Sequence, residues 1–307
     1  MLRIAHLSDT HILSPEAVDW RKILFNKRIT GYANLVLRRG RVYRREYLLS
    51  VLEAVAGCAD HIVVTGDITN LGLESEYDEA RKLTDSMARA TEVTVVPGNH
   101  DIYLGSIQRE RRFPQYFGTL LVSDLPEYAV QLPAGPYPCV KLRGPAAIIA
   151  LSSAVPRPPF VSSGNVGNEQ LAALEKILAH PEVTRRTPVI VIHHPPVDRR
   201  MRPAQLRDGL VDAASLRSAL APLSRGLVLF GHLHLRVRCK LRTASGSLDA
   251  VCASGAALDH PDPSIRAGFN LYEIDSDGTI ATVTAHVLDP VDGALRPMMI
   301  SERAGCA

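Results

Sequence analysis

The sequence is poor in sulfur and aromatic rings: five cysteines, one tryptophan and 5% Phe, Trp and Tyr in 307 residues. Cys58, Cys139, Cys239, Cys252 and Cys306 are odd in number and scattered, with no C-x-x-C pair. That spacing excludes a zinc knuckle or dithiol redox motif and reads as reduced packing residues of a cytoplasmic protein. The opening MLRIAHLSDTH lacks the apolar core of a secretory signal. No stretch approaches 18 consecutive apolar residues, so no membrane-spanning helix is expected. Repeats and low-complexity tracts are missing too. The formal net charge is only +3, so global charge names no partner. No specific nucleic-acid role is expected, because the one strongly basic stretch is rich in aliphatic residues.

What is present is ordinary globular material, 46% hydrophobic and 22% charged, enough for one large domain over 1–307. Short apolar runs recur: RIAHLSD (3–9), HIVVTGD (61–67), EVTVVPGN (92–99), AAIIALSS (146–153), PVIVIHH (188–194) and GLVLFGH (226–232). Each has the length and the Val, Ile and Leu content of a buried strand. Amphipathic helical patterns occupy 47–57, 76–90, 168–179 and 212–223, and strand-helix alternation argues for an α/β layered fold. From 236 to 307 the texture changes to strands joined by turns, with SDG at 276–278 a hairpin signal, and these strands are expected to complete the sheets.

Five of the apolar runs end in metal-ligating or amide side chains. They close on Asp9-Thr10-His11, Gly66-Asp67, Gly98-Asn99-His100-Asp101, His193-His194, and Gly231-His232-Leu233-His234. In open α/β sheets ligands bind at that edge. In extended chain, residues i and i+2 point the same way, so Asp9 with His11, and His232 with His234, are each expected to reach one centre. Imidazole, carboxylate and amide oxygen together suit zinc, manganese or iron. With no thiolate in these motifs, a structural cysteine-type zinc site is not expected. One shared Asp is a natural bridge in a binuclear centre. Each fragment alone has a bland reading: D-x-H is incidental, GD is a turn, HHPP is a strand end, and GNHD is a polar turn. Their ordered recurrence, each closing an apolar run, is what carries the chemistry.

The ordered set D-x-H, GD, GNHD, HH and GHxH resembles the signature of the calcineurin-like metallophosphoesterases. GDITNLGLESEY and HHPP are most similar to bacterial class III cyclic-nucleotide phosphodiesterases. The resemblance implies a four-layer αββα sandwich, two mixed sheets flanked by helices, with two divalent or mixed-valence ions (Mn, Fe or Zn) along one edge. It assigns Asp9, His11, Asp67 and His234 to one metal, and Asp67, Asn99, His193 and His232 to the other, with Asp67 bridging. His194 then falls outside the ligand set. His100 would face the phosphate and support or protonate the leaving group, and Asp101 would orient it. The function implied is metal-dependent hydrolysis of a phosphodiester, a cyclic nucleotide or a related diester. One alternative is a pyrophosphatase or phosphoesterase acting on a lipid-linked or nucleotide-sugar substrate at the membrane surface. A second is a metal-binding scaffold without catalysis, which the intact His100-Asp101 pair argues against. His6 reads as a core histidine, and His61, His180, His260 and His286 have no motif partner.

The metal motifs leave residues 20–45 unexplained. This stretch carries nine Lys or Arg, no acid and the single Trp20. It reads as a basic amphipathic insertion beside Asp9-Thr10-His11. Either it packs on the sandwich or it meets an anionic membrane surface, which would make the protein peripheral to the membrane. A second basic loop spans 198–207.

Overall fold

The computed structural model describes residues 1–12, 28, 42–197 and 201–302. The elements run β1 (Leu2–Leu7), α1 (Arg45–Cys58), β2 (His61–Val64), α2 (Glu74–Ala90), β3 (Glu92–Val95), α3 (Gly105–Arg109) and α4 (Arg112–Phe117). There follow a hairpin of β4 (Val130–Leu132) and β5 (Gly135–Tyr137), then β6 (Cys139–Arg143), β7 (Ala146–Ala150), α5 (Asn168–Leu178), α6 (Pro181–Thr184) and β8 (Thr187–Val191). The chain continues through α7 (Arg202–Asp208), α8 (Ala213–Leu220), β9 (Leu227–Phe230), β10 (Val237–Arg242), β11 (Ser247–Cys252), β12 (Gly268–Ile274), β13 (Ile280–Leu288) and β14 (Leu295–Met299).

Two six-stranded mixed sheets result, ordered β14-β13-β12-β1-β2-β3 and β10-β11-β9-β8-β7-β6. β1, β2 and β3 run parallel, as do β7, β8, β9 and β11. Strand alternation separates the layers. Ile148, Ala150, Val189, Val191, Leu227 and Leu229 pack toward the first sheet. Their neighbours Ala147, Ile149, Ile190 and Val228 pack against Leu171, Leu174 and Ile177 of α5 and Leu216 and Leu220 of α8. On the outer face of the first sheet lie α1 and α2. The α2 segment is helical because Tyr77, Ala80, Thr84 and Met87 form one buried stripe at helical spacing. Its start is held by Glu76, whose Oε2 accepts from Leu71 N at 2.8 Å and Leu73 N at 3.1 Å. The four layers are therefore helix, sheet, sheet, helix.

Within the C-terminal region β10 edges the second sheet and β12–β14 extend the first. The basic stretch 20–45 lies outside the described residues except for Arg28 and 42–45. Cys58, Cys139 and Cys252 are free thiols. Cys239 is disulfide-bonded, a departure from the all-reduced expectation, since scattered spacing carries no signal of pairing across a fold. Among the described residues no helix is long and apolar enough to cross a membrane.

Candidate metal centre

Strands β1, β2, β3, β8 and β9 stop two to four residues before Asp9, Asp67, Asn99, His193 and His232, so the motifs occupy the loops at one edge of the sandwich. The ladder does not end with the strands: Thr65 N donates to Leu7 O, Asp9 N to Gly66 O, His11 N to Asp67 O and Ile12 N to Ile68 O. These bonds hold the D-x-H and GD loops in register.

Asp9, His11, Asp67 and His234 bring their ligand atoms within 4.8 Å of one another. His11 Nε2 lies 3.9 Å from Asp9 Oδ1, 3.9 Å from Asp67 Oδ2 and 3.3 Å from His234 Nε2. His234 Nε2 lies 3.1 Å from Asp9 Oδ1. Beside this cluster, His193 Nε2 faces Asp67 Oδ1 at 3.5 Å, Asn99 Oδ1 at 3.1 Å and His232 Nδ1 at 3.2 Å. His232 Nδ1 is also 3.0 Å from Asn99 Oδ1. All seven residues expected to bind metal thus converge, and the two oxygens of Asp67 point to different clusters.

A cation fits this donor set better than hydrogen bonding does. Asp9 Oδ1 is buried and accepts no hydrogen bond, although imidazole nitrogens surround it. An orphaned buried carboxylate oxygen is expensive unless a positive charge completes it. The rings are set to offer lone pairs. His193 Nδ1 donates to Thr65 O and His232 Nε2 to Asp208 O, both at 2.7 Å, which leaves the opposite nitrogen of each ring facing the cluster. Burial, then repulsion from His193, pushes His232 down to about 3. Burial likewise lowers His193. Both rings are therefore neutral at pH 7, the form that binds metal. For Asp9, burial works upward, but His234, His193 and Ser8 outweigh it and hold the carboxyl below its usual range.

His194 sits against the second cluster, its ring 4.7 Å from that of His232, yet both its nitrogens are engaged. Nδ1 pairs with Ser153 Oγ and Nε2 with Ser162 O, each at 2.8 Å. His194 packs behind the His193 and His232 rings, with one ring nitrogen within 4.8 Å of theirs.

His100 reaches the site but not in the company expected. Its ring is 4.8 Å from His11 and its Nε2 is 4.0 Å from Asp67 Oδ2. Its Nδ1 donates to the main-chain carbonyl of Asn70 at 2.5 Å. Asp101 does not orient this ring. The buried carboxylate instead accepts from Gly98 N (2.9 Å), Ile68 N (3.2 Å), Thr69 N (2.8 Å) and Thr69 Oγ1 (3.0 Å). It therefore splices the GNHD turn to the loop after Asp67. Burial pushes its carboxyl up to about 6 against those backbone donors. The reason for the difference is geometric: Asp101 turns back under its own loop, while Asn70 lies beside the ring. The Asn70–Gly72 loop is itself clamped, with Arg28 Nε donating to Leu71 O at 2.9 Å and Arg28 Nη2 and Arg112 Nη1 to Gly72 O at 2.8 and 2.9 Å.

The i, i+2 pairs are not extended, and only one of them shares a centre. Asp9 and His11 do converge, but with φ of 48° and 41° they are left-handed, not extended. His232 (φ 69°) and His234 (φ 52°) are left-handed too, and they face different clusters. The glycines of these motifs have steric roles. A Cβ on Gly98 would stand 2.1 Å from Asp67 Oδ1, and one on Gly231 would stand 1.8 Å from Ser8 Oγ and 2.6 Å from Asp9 Oδ2. Sequence reasoning missed the carbonyls of Thr65, Asp208 and Asn70 and the phenol of Tyr43. Main-chain acceptors have no residue signature, and Tyr43 stands alone in a basic run.

A protein from Rhodococcus erythropolis named a probable cyclic nucleotide phosphodiesterase is 27% identical over 237 residues, 75% of this chain and 64% of its own length. The chain thus spans less than two thirds of that relative. A dimetal phosphatase from Danio rerio shares the fold with a TM-score of 0.53 and 14% identity over 88% of this chain and 92% of its own. A purple acid phosphatase from yellow lupin seeds does so with a TM-score of 0.57 and 11% identity over 99% of this chain and 54% of its own. The model of the calcineurin-like phosphoesterases matches residues 2–236. Every converging donor falls inside that span, and the chain belongs to this family.

Proposed function

We propose that this protein is a two-metal phosphoesterase that hydrolyses a phosphodiester, a cyclic nucleotide or a related diester. The observation that carries the reading is the placement of Asp67, with Oδ2 3.9 Å from His11 Nε2 and Oδ1 3.5 Å from His193 Nε2. One carboxylate can hold two cations only from such a position. Asp9, His11 and His234 would complete one site, and Asn99, His193 and His232 the other. Manganese, iron or zinc suits these donors. When bound, such a pair supplies Lewis acidity that activates water and neutralises phosphoryl charge.

The chain's own groups do the rest. Thr65 O and Asp208 O keep two ligand rings in the required tautomer. Asn70 O holds the His100 Nδ1 proton, so Nε2 points to the space beside Asp67, where it can bond a phosphoryl oxygen or protonate a departing alkoxide. Asp101 is a positioning residue for the turn that carries Asn99 and His100. The testing experiment is a turnover screen of the manganese-loaded protein across linear and cyclic diesters, monoesters and pyrophosphates, beside metal analysis. Preferred diester turnover with two metals per chain is expected. Metal uptake without hydrolysis of any phosphoester would leave only the scaffold reading.

The lipid-linked or nucleotide-sugar reading is favoured by a different observation. The loop 157–164 and the segment 201–211, where α7 forms in place of the expected basic loop, are laced together by Ser162 N to Arg207 O, Gly164 N to Gly209 O and Val211 N to Gly164 O. They cover His194 and His232 through Ser162 O and Asp208 O. They also expose Phe160 (79%), Met201 (81%) and Leu206 (52%), with Arg202 and Arg207 beside them. An amphiphilic phosphoester would find both apolar and cationic contacts there.

A further inference from the structure

The imidazoles at the centre are not all anchored alike. His193 and His232 lean on main-chain carbonyls, which no substitution removes. His234 leans on a side chain: its Nδ1 is 3.0 Å from the hydroxyl of Tyr43. We infer that Tyr43 is a positioning residue for His234, and that it sets the cation affinity of the Asp9–His11–Asp67–His234 cluster independently of the neighbouring cluster. The inference rests on the two-metal reading.

An imidazole that binds metal through Nε2 carries its proton on Nδ1, and the acceptor it finds there fixes both tautomer and ring orientation. Tyr43 Oη is that acceptor. With it in place, His234 Nε2 is turned toward Asp9 Oδ1 (3.1 Å) and His11 Nε2 (3.3 Å). The phenol is itself held. Tyr43 is 7% exposed and forms a β-bridge with Leu258. On either side Arg44 N donates to Ala257 O at 2.8 Å and Asp259 N to Val42 O at 2.6 Å. The same strip is tied to the first strand, because Ser8 bridges Gly255 and Ala256 N donates to Ser8 O at 3.0 Å. The hydroxyl is thus built into the register of the loop that carries Asp9. The Tyr43 ring also stands edge-on to His11, with centroids 5.0 Å apart at 83°. One aromatic residue therefore touches both imidazoles of this cluster, whereas the rings of His193 and His232 pack on each other and on His194.

Tyr43→Phe removes the oxygen and keeps the ring, so it separates positioning from packing. The apoprotein is titrated with Mn²⁺ against a chromogenic chelator, and His234→Ala identifies which of two binding steps belongs to this cluster. Tyr43→Phe is expected to weaken that same step by about 10–100-fold and leave the other step unchanged, while the apo melting temperature falls only by the loss of one hydrogen bond. Wild-type affinity at both steps, or equal weakening of both, would overturn the inference. A wild-type chain that takes up fewer than two metals would instead overturn the two-metal reading. A second measurement needs no variant. In zinc-loaded protein with ¹⁵N-histidine, His234 is expected as the Nδ1–H tautomer with a protected proton, and an Nε2–H tautomer would refute the role of Tyr43.

Discussion

Gly98→Ala tests the site without touching any ligand. The added methyl would stand 2.1 Å from Asp67 Oδ1, 2.3 Å from Asp67 N and 2.8 Å from Asp67 Cγ. Real Cβ atoms essentially never come closer than 3.0 Å, so the Asp67 carboxylate and its own backbone nitrogen must retreat by about 1 Å, a displacement that can cost about 10²-fold in rate at a positioned centre. Backbone conformation does not forbid alanine there, because Gly98 is not among the positive-φ glycines. Overpacking of this kind costs about 1–3 kcal/mol in stability. The metal effect should be separable from that penalty. A site occupied at about 100 times its Kd stabilises the fold by about 2.7 kcal/mol, so wild type should gain that from each metal and Gly98→Ala should gain little. The assay is a thermal melt with and without manganese, beside metal content and turnover of bis(p-nitrophenyl) phosphate. Gly118→Ala is the control, since its methyl would meet nothing within 4 Å. A Gly98→Ala protein that holds two metals and turns over like wild type would refute the claim that Asp67 bridges from this position.

Asp67→Ala should lose most of both metals, and full occupancy by elemental analysis would sink the bridge. His100→Ala should retain metal yet lower turnover of a poor-leaving-group diester by about 10²–10⁴-fold. A nitrophenyl ester should suffer less, and equal losses would favour phosphoryl support over proton donation. If the substrate is amphiphilic, Phe160→Ala should raise its KM by roughly tenfold or more, the worth of about 1.5–3 kcal/mol of buried aromatic surface. A small soluble diester should be unaffected, and equal KM changes for both would remove the rim from recognition. Acid should destabilise the apoprotein. Burial holds His6 and His232 down to about 3, so between about pH 6.5 and 3 the unfolded chain takes up protons that the folded chain refuses. Stability then falls as pH falls, by up to about 1.4 kcal/mol per pH unit for each ring. Glu76 and Asp101, pushed up to about 7 and about 6 by burial, act in the opposite sense above about pH 4.5. The fall should therefore show below that, and a melting temperature flat from about pH 4.5 to 3 would contradict the buried neutral rings.

The layer order and the strand ends were legible because buried strands leave short Val-, Ile- and Leu-rich runs, and because Asp, Asn and His closed five of them. His6 was readable as a core residue, and its ring bonds Tyr272 Oη at 3.0 Å and Thr65 Oγ1 at 2.9 Å. Residue chemistry could not show which neighbour each polar group meets. Asp101 follows His100 in sequence, and adjacency suggested a pair. The fold sends the carboxylate to four donors on two loops and gives the ring a carbonyl from 30 residues upstream. Edge elements were the other gap: β10 and β14 carry exposed Lys and Arg, and β6 includes Lys141 and Arg143, both paired with Glu92, which masks the apolar alternation.

The backbone at the ligands explains why the i, i+2 rule chose the right residues for the wrong reason. Among the described residues seven non-glycine positions have left-handed φ, and five of them are Asp9, His11, Asp67, His232 and His234. Such a conformation costs a side-chain-bearing residue of order 1 kcal/mol or more unless its surroundings over-determine it. Here the surroundings do, because the loop ladder from Leu7–Thr65 to Ile12–Ile68 and the bond from His232 N to Asp9 Oδ2 at 3.1 Å hold these residues from outside. An extended chain would throw Asp9 and His11 to one face and carry the strand past the edge. A left-handed residue turns the backbone back at five of the seven candidate ligands, all but Asn99 and His193, so short loops can aim side chains from two sheets into one pocket. The strain thus falls on the residues whose side chains a cation would hold. The same geometry leaves Asp9 Oδ1 without a hydrogen bond. At Asp9 strain and an orphaned carboxylate oxygen coincide, and a bound cation would offset both.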